Sequence, residues 1–225
     1  MTPFEPLPRY PRTSERDLHR RVLTEAAVLG RLMERPPWVE PRAGVEDHVV
    51  TGLRAAFAHW SPTSGPPTPE MEKPVHEVAA GDAAFGAQSE DDQDAGVARI
   101  AAVLHLVALA WRPDTRSRGS VGKACVGSDP STPLLSNTRF ARLMTAPPDP
   151  PLRVQALGRA FRQFKRSGLA VSGGDAPNLL RFLFSDAPEA TVRRWVGDYY
   201  RLAATGAPVT DAPATDAEPS ESTPA

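Results

Sequence analysis

The chain is poor in the residues that build redox, metal or covalent chemistry. One cysteine, Cys125, stands among 225 residues. That excludes an intramolecular disulfide and points to a reducing, cytoplasmic location. No base is placed near it in sequence, so it reads as a small packing residue rather than a nucleophile. The five histidines, at 19, 48, 59, 76 and 105, form no HExxH pattern and no pair with the cysteine, so no metal site is expected. Asp92, Asp94 and Gly96 imitate part of a calcium loop, but its twelfth position is Val103, where the loop needs a carboxylate. Gly122-Lys123 lacks the glycine spacing and the Ser/Thr of a phosphate-binding loop and reads as a turn. No cofactor is expected, and no catalytic carboxylate cluster is visible in the basic half.

Long apolar runs are missing as well. The longest, Ile100–Trp111, has 12 residues and is interrupted by His105. It is too short to span a bilayer and reads as a buried helix, with His105 a satisfied core histidine. The first residues, MTPFEPLPRYPRTSERD, hold no apolar segment of a secretory signal. Alternating β-branched runs and internal repeats are absent, which leaves no strand signal and no repeat architecture.

What is present is helical periodicity punctuated by proline, of which there are 25. Ser14 with Asp17 resembles a capping box, followed by Leu18, Val22, Ala26, Leu29 and Leu32 on one face until Pro36-Pro37. A second helix is expected over about 45–60 and a central one over 94–111, apolar nearly all round. Further elements follow: a short helix or turn at Ser120–Val126, then helices at Ser136–Met144, from Pro151 to Arg166 stopped by Gly168, one capped by Asp175 to Phe184, and one capped by Asp186 with Pro188 in its first turn, running to Leu202. Trp195, Tyr199 and Leu202 share a face and read as core. The class is all-α, two packed small helical bundles with a disordered C-terminal tail. The expected divisions are a flexible N-terminus at 1–13, an N-terminal helical domain at 14–112 with an acidic insertion at 61–94, a basic C-terminal helical domain at 113–204, and a disordered acidic tail at 205–225. Within the insertion, 61–70 is a linker and 70–94 carries at most a weak central helix.

Charge is segregated. Between Arg112 and Arg166 stand eleven basic residues (Arg112, Arg116, Arg118, Lys123, Arg139, Arg142, Arg153, Arg159, Arg162, Lys165 and Arg166) against Asp114, Asp129 and Asp149, a net of +8 in a protein whose total is −1. Residues 70–95 hold eight acids against Lys73, a net of −7, and the tail beyond Ala204 adds −4. A local cationic block of that size favours phosphate whatever the overall charge. At about 100° per residue, Leu157, Ala160, Phe161 and Phe164 share one face of the 151–166 helix. Arg159, Arg162, Lys165 and Arg166 take the other. Phe140, Leu143 and Met144 likewise oppose Arg139 and Arg142. Such a ridge can be a merely solvated face. However, no acids interleave at helical spacing, and Arg, with its planar bidentate fork, outnumbers Lys.

One ordered series then carries a family resemblance. Ser120-Val121-Gly122-Lys123-Ala124, Arg139-Phe140-Ala141-Arg142-Leu143-Met144, the basic helix, Leu179-Leu180-Arg181-Phe182-Leu183, and Arg194-Trp195-Val196-Gly197-Asp198-Tyr199 follow one another in an order that resembles the small-subunit (CasB) family of the type I-E CRISPR Cascade surveillance complex, over about residues 94–202. The resemblance implies an all-helical subunit that is not an enzyme. Its expected partners are the backbone and large subunits, a second copy of itself, and the R-loop formed by guide RNA and target DNA, whose displaced non-target strand it holds. By match to the family, Lys123, Arg139, Arg142 and Arg159 are the expected nucleic-acid contacts. The angular pattern adds Arg162, Lys165 and Arg166. The chain departs from the family in a longer acidic insertion, a longer acidic tail and the lack of Trp near Phe184–Asp186. Stacking is expected to be minor, because the basic segment offers few aromatics. Two other readings fit the same sequence: a helical adaptor meeting acidic protein surfaces, and a regulator using 176–184 and 188–202 as a helix-turn-helix.

Overall fold

A computed structural model describes residues 7–39, 47–63, 65–112, 116–117, 119–145 and 148–206. Among them ten α-helices account for most of the chain. The first, α1 (Glu15–Glu34), starts where the Ser14 hydroxyl accepts from the Asp17 N–H, with Asp17 and Glu15 in its first turn. That is the expected cap, and acids there also oppose the helix dipole. Then come α2 (Asp47–His59), α3 (Pro69–Ala79), α4 (Ala83–Gly86) and α5 (Glu90–Ala110). The second half holds α6 (Val121–Val126), α7 (Asn137–Met144), α8 (Pro150–Arg166), α9 (Ala176–Phe184) and α10 (Glu189–Ala204). The all-α class stands. One two-residue ladder was not expected: β1 (Arg116–Ser117) pairs in parallel with β2 (Leu169–Ala170), Arg116 opposite Leu169.

The acidic stretch is more ordered than its composition suggests. Pro69 opens α3 from its first turn, Glu70 and Glu72 favour the helix N-terminus, and Met71, Pro74, Val75 and Ala79 are buried. Asp82 caps α4 by accepting from the Ala84 and Phe85 N–H groups, both at 3.1 Å, and its other oxygen takes Arg31 Nη2 at 2.7 Å. Ser89 caps α5, which begins at Glu90 rather than Asp94. The expectation of at most a weak helix here is corrected, because the charges line up with helix starts.

Helix α5 is the axis of the molecule. By length and composition it could cross a membrane, yet 78% of its apolar window is buried inside the fold. It packs against α2 and α3 on one side and α8 on the other, while α1 lies against α9. The two expected bundles therefore share one hydrophobic core. His105, on α5, sits in it as expected. Its Nδ1 lies 2.6 Å from the Phe57 carbonyl oxygen, and Trp60 packs edge-on at 5.4 Å. Burial pulls its pKa down to about 4, with Arg162 adding a smaller push in the same direction.

The expected looseness of 1–13 fails from Leu7 onward; residues 1–6 lie outside the described residues. Leu7 and Tyr10 are buried. The Tyr10 N–H donates to Phe184 O (3.0 Å), and its hydroxyl donates to Glu25 Oε2 (2.7 Å). Arg99 Nη2 meets Glu25 Oε1 at 2.6 Å, with both side chains almost fully buried, and its guanidinium lies 4.4 Å from the Tyr10 ring centroid. The tail expected to be disordered lies, from residue 207, outside the described residues; Thr205 and Gly206 still form a turn after α10.

Candidate nucleic-acid interface

Two helices of the basic half are each fixed by buried contacts to other elements. Helix α7 is fixed at its start by Tyr199 of α10, whose hydroxyl donates to Leu135 O (2.7 Å) and lies 2.9 Å from Asn137 Oδ1. Phe140 then stacks on the Tyr199 ring, centroids 4.1 Å apart and planes 9° from parallel. The loop before α7 is tied to α6 by Leu134 N–H to Val126 O (3.0 Å) and Leu135 N–H to Cys125 O (2.9 Å). With Phe140 and Leu143 inward, Arg139 and Arg142 must face out. Helix α8 is seated on α5 through Val154, Leu157, Gly158, Phe161 and Phe164. That leaves Arg159, Arg162, Lys165 and Arg166 exposed.

Between α7 and α8 lies a groove of about 440 Å³. Arg139 and Arg142 line it from α7, Arg159 and Gln163 from α8, and Leu135, Leu143, Ala156 and Ala160 give it an apolar floor. The structure thus brings together three of the seven expected contacts. Arg162, Lys165 and Arg166 are exposed on α8 but outside the groove, and Lys123 is exposed on α6. Gln163 was not anticipated, although it lies one turn beyond Arg159 and the same angular pattern contains it.

Among the described residues, carboxylates do not neutralise this surface. Among the described residues none of the seven cations makes an ion pair. The acids of the basic block look elsewhere. Asp129 accepts from Ser131 and Thr132 in its own turn, which holds its carboxyl below the usual range. Asp149 faces Arg9 at 3.9 Å. Asp114 lies outside the described residues. An apolar floor with guanidinium walls suits a phosphate whose sugar or base rests on the floor.

One cation of the block does not belong to the surface. Arg153 is buried, and its Nη1 donates to Phe182 O and Ser185 O, both at 2.7 Å. It satisfies carbonyls left open at the end of α9. Burial pulls its pKa below the ordinary value. Its angle on the helix, shared with Leu157 and Ala160, was the available signal.

Lys123 is positioned by a tight crossing. A Cβ on Gly122 would fall 2.2 Å from Trp195 O, so α6 and α10 touch backbone to backbone. Asp175 does not cap α9 with its side chain as expected. Its Oδ2 accepts from the Val121 N–H and Trp195 Nε1, both at 2.9 Å, and Oδ1 accepts from Asn178 at 2.5 Å, so it joins α6, α9 and α10. Burial raises its pKa to about 6 despite those donors. Ser120 adds a hydrogen bond to Asp198 Oδ2 at 2.6 Å. Asp186, expected to cap α10, instead receives Arg9 and Arg12. Cys125 is fully buried, which pushes its thiol up. Among the described residues no group of three or more His, Cys, Asp or Glu could hold a metal ion. No residue of α9 is exposed, so in the helix-turn-helix reading α10 alone offers a free face.

No family model matches the chain, and no curated protein or solved structure matches it either. The functional reading therefore stands on the ordered residue series and on the groove.

Proposed function

We propose that this protein is a non-catalytic small subunit of a type I-E CRISPR RNA-guided surveillance complex, working in the cytoplasm in antiviral defence. It holds the displaced non-target DNA strand and so stabilises the R-loop. The observation that carries the reading is the groove in which Arg139, Arg142 and Arg159 converge without carboxylate partners among the described residues. Its physics is that of backbone binding. Guanidinium groups displace the counterions of single-stranded phosphates, and affinity falls with salt at a slope of about −0.7 per phosphate neutralised. Three groove contacts give a slope of about −2, and all seven cations about −5. Such contacts read no bases. Sequence is read by guide pairing, a nearly balanced strand exchange that a small grip on the displaced strand tips forward. The backbone subunits, the large subunit and a second copy of this chain are the protein partners in this reading.

The test is charge reversal in the assembled complex. With Arg139→Glu, Arg142→Glu and Arg159→Glu together, guide–target pairing should persist while the non-target strand becomes open to nuclease. Unchanged protection of that strand overturns the reading. A crosslinking map that finds the groove joined only to acidic protein segments would favour the adaptor instead.

A further inference from the structure

The outer face of α10 is built like a base-stacking platform. Of the four large hydrophobics exposed among the described residues, Leu23, Val39, Leu152 and Tyr200, only Tyr200 is aromatic, and it is 47% exposed. Its ring is not loose. It stands at 83° to Phe140 and at 88° to Tyr199, with centroids 6.5 and 5.1 Å away, so two buried rings fix its orientation. Its hydroxyl makes no hydrogen bond among the described residues. At about 100° per residue, Arg193 lies about 20° from Tyr200 two turns below, and Arg201 and Arg194 about 100° and 120° away. All three are exposed and without an ion pair among the described residues. Gly197 lies between Tyr200 and Arg193, where even a Cβ would meet open space, so the surface beneath the ring is flat. Asp198 points away into its hydrogen bond from Ser120. Glu189, the one acid on the same side, is three turns off at the helix start.

We infer that Tyr200 stacks on a base of the bound single strand, with Arg193, Arg194 and Arg201 on the flanking phosphates. The inference rests on the single-strand reading above and deepens it. A half-exposed aromatic with cations around it suits a nucleotide of any sequence better than a protein segment. Phe140, which touches Tyr200, is the chain neighbour of Arg139. The stacking face and the groove are therefore separated by the width of α7, about 10 Å, which a few nucleotides span.

The full-length protein is titrated with labelled oligo-deoxythymidine and with an abasic oligomer of the same length and phosphate count. Wild type should prefer the base-bearing oligomer by about 5- to 100-fold. Tyr200→Ala should abolish that preference, Tyr200→Phe should keep it, and both should melt near wild type because the side chain is half in water. Arg193→Glu with Arg201→Glu should weaken both oligomers alike and flatten the salt slope. Equal binding of the two oligomers by wild type, or a Tyr200→Ala protein that keeps its preference, overturns the stacking role and leaves this face to phosphates or an acidic protein. Arg139→Glu with Arg142→Glu separates the two ideas. If that variant binds as wild type while Tyr200→Ala loses base preference, the groove reading fails and the platform stands. If wild type binds neither oligomer at low salt, both fall.

Discussion

Gly122 offers a sharp test of how α6 is held. Replacing it with Ala places a methyl carbon 2.2 Å from the Trp195 carbonyl oxygen and 2.9 Å from its carbonyl carbon. An ordinary contact needs about 1 Å more. The obstacle is main chain in the middle of a helix, so no rotamer change relieves it and α10 must shift. Trp195 and Tyr199 are fully buried on that helix and would lose packing in the movement. Overpacking costs typically about 1–3 kcal/mol, and a backbone obstacle places this case near 3. For a chain of this size that corresponds to a fall in Tm of about 6–12 °C. Gly197→Ala is the matched control. It lies on α10 where the new Cβ meets open space, and Ala in a helix interior gains about 0.5–1 kcal/mol over Gly. Thermal melts followed by circular dichroism compare the two. A Gly122→Ala protein that melts within a degree or two of wild type would refute the close crossing.

The buried pair gives a second expectation. Glu25→Leu strands the Arg99 guanidinium and should cost about 3–5 kcal/mol, while Glu25→Leu with Arg99→Met should recover much of that, measured by urea unfolding. Acid titration gives a third. His105 has a folded pKa of about 4 against an ordinary 6.5. The stability tied to its neutral form is present above pH 6.5 and lost as pH falls toward 4, about 3 kcal/mol in full. Asp175 has the opposite sign. Its folded pKa is about 6 against 3.8, so its contribution is present below the unfolded value and lost as pH rises through 6. The two oppose each other between pH 4 and 6.5. Urea midpoints of Asp175→Asn should drop on acidification across that window and those of His105→Gln should rise; two parallel curves would contradict the assignment.

The long helices were legible because their signals agree. Ser14 and Pro151 mark starts, and Gly168, at φ 63°, marks a stop, while the Ser89 cap moves the start of α5 from the expected Asp94 to Glu90. Composition misled where it was read before position. Glu70, Glu72 and Asp82 belong to an acidic insertion with at most a weak helix by composition, yet each stands at a helix start, and Met71, Val75 and Ala79 keep a four-residue spacing beneath them. In the basic half, Arg153 adds to the cationic block by its place in sequence, although its angle puts it with the core. The meeting of Arg139, Arg142 and Arg159 was not legible. It depends on where α7 and α8 are each placed: Tyr199 fixes α7 through contacts about 60 residues apart in the chain, and α5 seats α8. Asp175 was placed correctly at a helix start, but its partners Val121 and Trp195 come from distant segments that no local rule connects.

The docking of Leu7 and Tyr10 has a consequence for how the chain matures. Tyr10 closes on Phe184, 174 positions later, and on the Glu25–Arg99 pair. During synthesis the Tyr10 ring and hydroxyl can meet Arg99 and Glu25 once α5 is made, but its backbone bond waits until Phe184 leaves the ribosome. The start of the chain is therefore pinned at its side chain first and at its backbone only when α9 is in place.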